Sequence, residues 1–254
     1  MRSSNPVLTR TDFGAEQRGY GYDTAPRVAD YETMTLQDVI NKSFVLLILL
    51  VGVAIATITI VPLQAMPGVA VVCSVAALVA ALVVSFRRRV SPVGVLIYTV
   101  LEGAVIGAWS FILEAMFPGI VFQAVLGTLM AAGATFIAYR FGGVRVRGKF
   151  ARGVVIAMFA YVGVAVVNLV LSLFGVGFGW GAVGPNAGMI AWLSAGIGVV
   201  LAVASLVMDF DEIERGVRSG APRQESWRAA FGLMVTMIWL YTQILRILSF
   251  FRSE

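Results

Sequence analysis

The sequence predicts an all-α integral membrane protein, built as a bundle of seven transmembrane helices. Three observations carry this. Of the 254 residues, 59% are hydrophobic and only 13% are charged, about half of the roughly 25% usual in soluble domains. Seven apolar runs each approach the ~20 residues that a membrane-spanning helix needs. Lys and Arg fall in alternate loops, the pattern that sets the orientation of a polytopic chain.

Taken in order, residues 1–34 are polar and rich in Gly, Pro and Arg, with no continuous apolar stretch. They read as a disordered cytoplasmic tail, not as a secretory leader. Residues 35–252 form the transmembrane domain. It begins with a short interfacial helix, TLQDVINKSF preceded by Met34, with Thr35 as N-cap and Asp38 three residues on. The spans are expected near 44–61, 68–86, 93–113, 120–141, 151–174, 188–208 and 228–250. Pro62 ends the first, and the run Arg87, Arg88, Arg89 ends the second.

Loop charge orients the spans. Arginines crowd the tail, the second-to-third loop, the fourth-to-fifth loop (Arg145 and Arg147 among them) and the sixth-to-seventh loop (Arg215, Arg218, Arg223). The alternate loops 62–67, 114–119 and 175–187 contain no Lys or Arg. The chain is therefore expected in the cell membrane with its N-terminus cytoplasmic. The net charge of +5 reports this topology and not a nucleic-acid partner. Arg246, near the outer end of the seventh span, is expected to snorkel to the interface. The glycine-rich stretch FGVGFGWGAVGPNAG reads as a flexible extracytoplasmic turn, because no strand precedes it as a nucleotide loop requires.

There is no histidine and a single cysteine, Cys73, inside a span. Zinc-protease and serine–histidine chemistry are thereby excluded, as is an intramolecular disulfide. No enzyme activity and no cofactor are expected. Any proton sensing falls to carboxylates, since the usual neutral-pH switch is absent.

Ionisable residues within spans face the bundle interior or a cavity and are candidate functional sites. Glu102 lies near the middle of the third span, in VLEGAVIG. Asp209 closes the sixth span, one turn deeper than Glu212, while Glu212 and Glu214 read as a solvated mouth and Asp211 is undecided. On the seventh span Gly232, Thr236, Trp239, Gln243 and Arg246 recur at spacings of four, three, four and three, so they share one helix face. A small and polar face must look inward, which puts the last helix against or at the centre of the other six. Thr236 can hydrogen-bond near Asp209, and a pair between Arg87 and Asp209 is geometrically allowed.

The run FRRRVSPVGVLIYTVLEGAVIG, the segment ASLVMDFDEIERG and the last helix AAFGLMVTMIWLYTQILRILSF together resemble the Bax inhibitor-1-like family, the transmembrane Bax inhibitor motif proteins. The likeness covers roughly 40–252, and ERGVRSGAP with the long tail is similar to a bacterial, actinobacterial branch. The resemblance implies a seven-helix bundle with the last helix central, and a pH-sensitive calcium leak channel. It implies a sensor of two aspartates with an arginine latch. Asp209 matches the first aspartate, Arg87 the latch and Glu102 the family's third-helix glutamate. Where the family has its second aspartate, this chain has Thr236. Asp211 lies about 200° around the helix from Asp209 and is a poor substitute.

The leading expectation is thus a membrane ion leak channel or transporter for calcium or protons, with Asp209 as gate and Glu102 on the path. With Thr236 in place of an aspartate, its pH response should be shallow. The alternative is a regulator of membrane protein quality control or stress response that binds a membrane protease.

Overall fold

The computed structural model describes residues 32–87, 90–142 and 148–252. Most of the expected tail, together with Arg88, Arg89, Arg145 and Arg147, lies outside the described residues. Seven helices follow: α1 (Leu36–Ile60), α2 (Met66–Phe86), α3 (Pro92–Met116), α4 (Ile120–Phe141), α5 (Gly148–Leu173), α6 (Met189–Arg218) and α7 (Glu225–Phe250). All are long and apolar enough to cross a bilayer. Helices suit that solvent because they satisfy every backbone N–H and C=O within the segment.

Local chemistry sets the helix ends. The Thr35 hydroxyl accepts from the Asp38 amide at 3.2 Å and starts α1. Ser91 caps α3, and Pro92 follows it at the first helical position, where its missing N–H costs nothing. Glu114 caps α4 from outside, accepting from the amides of Gly119 at 2.6 Å and Val121 at 3.0 Å. Gly220, at φ 65°, closes α6 in the left-handed conformation that a Cβ disfavours.

Two helices are longer than expected. The interfacial helix and first span are one continuous helix, α1, because nothing between Leu36 and Ile60 breaks it and Lys42 pairs with Asp38 one turn back at 2.7 Å. α6 does not stop at Met208 but runs on through the acidic stretch to Arg218. Its 30 residues span about 45 Å, so the last turns project past the ~30 Å hydrocarbon core.

α7 is the inner helix, packed against α1, α3, α4 and α6. α2 lies outside against α3, and α5 leans on α6. Leu46, Leu50, Val95, Tyr98, Phe231 and Met234 form a core where α1, α3 and α7 meet, with the Tyr98 and Phe231 rings edge to face at 5.1 Å. Leu113, Ile120, Ala124 and Leu245 form another at the opposite end. The outer faces of α2 and α5 are apolar and exposed, Val71, Val72, Val75 and Ile156 among them. In water such faces would be unstable; against lipid they are ordinary.

The start of α1 is clamped to the α6–α7 turn. Thr33 bridges Pro222, and the Met34 amide donates to the Ala221 carbonyl at 2.7 Å. Arg223 pairs with Asp38 at 3.2 Å. The glycine-rich loop at the other end is likewise fixed. The Asn168 side-chain oxygen accepts from the amides of Phe178 at 3.1 Å and Trp180 at 3.4 Å, and the Gly184 amide donates to Ser249 at 3.0 Å. The expectation of a loose turn there fails because side chains of α5 and α7 supply the acceptors that the glycine backbone needs.

α1 and α3 cross at two glycines. A Cβ on Gly107 would lie 2.6 Å from the Ala54 carbonyl oxygen, and one on Gly103 would lie 2.9 Å from that of Leu50. Even Gly107→Ala should therefore lower stability by about 1–3 kcal/mol, read as a fall in thermal midpoint of the detergent-solubilised protein. Gly133, with nothing within 4 Å of its added Cβ, supplies the control: Gly133→Ala should change stability by less than about 1 kcal/mol.

Candidate functional site

A cavity of about 990 Å³ opens at the end of the bundle that carries the α2–α3 and α6–α7 loops. Its wall combines the last turns of α6, the first turns of α7, the end of α2 and Met34. Three acids, Asp209, Glu212 and Glu225, and three arginines, Arg215, Arg218 and Arg228, line it. Asp209 is the deepest of the α6 residues in that wall and Gly232 the deepest of α7. Beyond them Leu206 and Leu240 are fully buried and Met234 nearly so, which closes the interior.

Asp209 is held where the sequence spacing places it. Its Oδ1 lies over Gly232, 3.8 Å from where a Cβ would stand. Thr236, one turn further along α7, is buried and is its side-chain hydrogen-bonding neighbour. Oδ2 is buried and has no hydrogen-bond partner among the described residues. Unmade bonds of this kind are costly, by about 1–3 kcal/mol and more for charged groups, and native structures keep few of them. The inward-looking stripe of α7 is therefore real: Thr236, Gln243 and Arg246 are all buried.

The other acids of the stretch behave differently from one another. Asp211 turns away from the cavity and pairs with Arg215 at 2.9 Å. Glu212 is exposed and lines the cavity. Glu214 keeps a 44% exposed side chain, as a solvated acid does, and it also accepts from the Tyr139 hydroxyl of α4 and pairs with Arg218. The continuing helix brings it back against α4, which a loop would not have done.

Glu102 is half-buried on α3, one turn beyond Tyr98. It does not line the cavity on which Asp209 stands. Arg87 ends α2 and is exposed, and among the described residues it makes no ion pair with Asp209. What reaches it is Arg228, whose Nη2 donates to the Arg87 carbonyl at 3.4 Å. Arg228 itself lines the cavity and bridges to Glu225 at 2.8 Å. Sequence reasoning passed over Arg228, although the spacing 228, 232, 236 puts it on the face of α7 that meets Asp209.

Among the described residues no group of three or more Asp, Glu, His or Cys side chains converges on a point where a metal ion would sit. The arrangement is a charge-lined vestibule whose deepest α6 residue is one carboxylate, Asp209.

Arg246 also departs from expectation. Only 7% of it is exposed. It points into the bundle at the end opposite the cavity instead of snorkelling out, because neutral acceptors from α6, α7 and the loop surround its guanidinium.

Seven apolar helices, a polar inner helix and an intramembrane carboxylate at its side together define an architecture that can be compared with known proteins. No curated protein matches the chain. A family model described as Bax inhibitor 1 like matches residues 5–253. With nearly the whole chain matched, this multi-pass membrane protein belongs to the Bax inhibitor 1 like family.

Proposed function

We propose that the chain is a membrane ion leak channel or transporter for calcium or protons, with Asp209 as the gate at the blind end of a cytoplasmic vestibule. One observation carries the reading: a carboxylate with a buried oxygen that has no partner among the described residues stands where a cavity meets a closed hydrophobic interior. A structural acid would have its lone pairs filled. Family membership agrees with a channel or transporter, and the positive-inside rule assigns the arginine-rich cavity end to the cytoplasm.

In this reading the structure is the closed arrangement. Leu206, Met234 and Leu240 form the seal above Asp209, and opening requires α6 and α7 to separate along the Gly232–Thr236 face. A hard cation prefers oxygen ligands. The single carboxylate and the Thr236 hydroxyl give it a weak station, which suits passage better than storage. Arg228 takes the position of a counter-charge at the vestibule wall, and Arg87 contributes through its backbone. Glu102, which does not line the vestibule, would act on an ion only outside it.

The test is calcium flux into proteoliposomes of purified protein between about pH 5 and about pH 8. Asp209→Asn should lower flux at the alkaline end by about fivefold, the effect of losing ~1 kcal/mol of attraction at a partly screened site. It should also flatten the pH dependence. Thr236→Asp sets a second carboxylate beside the first, so the two can share a proton and the pH response should steepen. Glu102→Gln should leave the shape of the pH response as it is. Folded protein that passes no calcium or protons in any variant would overturn the channel reading and favour a regulator that acts by binding a partner such as a membrane protease.

A further inference from the structure

Arg246 is permanently charged, and everything that holds it is neutral. Its Nη2 donates to the Trp180 carbonyl at 2.6 Å and to the Ser194 hydroxyl at 3.0 Å, and its Nη1 donates to the Gln243 side-chain oxygen at 3.0 Å. The Tyr161 hydroxyl lies beside it. No carboxylate among the described residues is within ion-pair distance, and Nε is buried without an acceptor.

Several features keep this charge in place. Gly198 lets the α5 and α7 side chains close in: a Cβ there would stand 2.7 Å from Gln243 Cδ and 2.8 Å from the Tyr161 oxygen. The loop between α5 and α6, tied to Asn168, presents the Trp180 carbonyl. A buried charge satisfied only by dipoles is a poor source of stability, and a neutral side chain would serve the fold better. What the arginine supplies that a neutral side chain cannot is a positive potential, little screened inside a low-dielectric bundle.

Gly232, against which Asp209 of α6 lies, and Arg246 stand toward opposite ends of the same inward face of α7. We propose that Arg246 is the charge barrier of the conduction path, a fixed cation at the extracytoplasmic end that resists the passage of small cations. Rings or single residues of fixed charge act this way in other pores. The inference rests on the channel reading and adds to it a determinant of rate and valence selectivity. A Coulomb barrier scales with the charge of the ion. Removing it must therefore speed a divalent cation by the square of the factor found for a monovalent one.

The experiment measures potassium, calcium and chloride flux through proteoliposomes of wild type, Asp209→Asn, Arg246→Gln and Arg246→Lys, each shown to be folded by its thermal midpoint and elution profile. Arg246→Gln should raise cation flux. A tenfold gain for potassium should accompany about a hundredfold gain for calcium, with no gain for chloride. Arg246→Lys keeps the charge but loses the planar fork that bonds Trp180 and Ser194, and it should return cation flux most of the way from the glutamine variant to wild type. Equal gains for potassium, calcium and chloride would overturn the proposal, since a disordered outer end leaks without regard to charge. So would unchanged flux in Arg246→Gln while wild-type flux still depends on Asp209; that result leaves the channel reading intact. Absence of flux in every variant, the glutamine one included, overturns both.

Discussion

Inside hydrocarbon a polar side chain has no solvent to fall back on, and this constraint sets the position of α7. Its Thr236, Gln243 and Arg246 can be satisfied only by other helices or by a loop folded inward. Once that face is turned in, α1, α3, α4 and α6 must gather around it. The more uniformly apolar α2 and α5 are left for the periphery, where lipid is as good a neighbour as protein. Close approach of α1 and α3 then depends on Gly103 and Gly107, whose absent side chains let backbone meet backbone.

The two ionisable ends of the inner face are treated in opposite ways. Asp209 of α6 keeps an oxygen without a partner among the described residues and lies beside an open cavity. Arg246 has most of its donors filled and lies where side chains and the Trp180 carbonyl close around it. The first arrangement leaves a site able to exchange partners. The second immobilises a charge. A bundle held between them has an electrostatic direction along α7, and its polarity follows from which residue is exposed to a mobile environment and which is locked.

Much of this was legible in the sequence, and the failures have a common cause. The seven spans follow from run length and alternate loop charge, and the inner position of α7 follows from residues three and four apart. Hydropathy, however, reports only where lipid ends. It does not say whether a helix continues into water, so the interfacial helix near 35–43 reads as separate from the first span and the sixth span reads as ending near Met208. The contact of Glu214 with Tyr139, which the continuing helix makes, is therefore not visible in the sequence. The glycine loop misled in the other direction. Its composition says that the backbone is permissive, but not that Asn168 and Ser249 will bind that backbone. With the loop misread, the neutral acceptors around Arg246 were invisible. Among several nearby arginines the sequence also could not decide which ones the vestibule holds: Arg87 lies outside its wall, whereas the α6 and α7 registers bring Arg215, Arg218 and Arg228 in.

The clamp between the start of α1 and the α6–α7 turn bears on how the protein is made. Asp38 leaves the ribosome early, yet its partner Arg223 follows 185 positions later. Until then Met34 has no carbonyl to donate to, and α1 can pair only with α3 through the two glycines. The inner helix is the last of the seven to be made, and the contacts that clamp the start of α1 can form only after the α6–α7 turn has been synthesised. Quality control of such a chain has a natural checkpoint, because a copy lacking its final hairpin still exposes, within the bilayer, the interior faces that α7 would have covered.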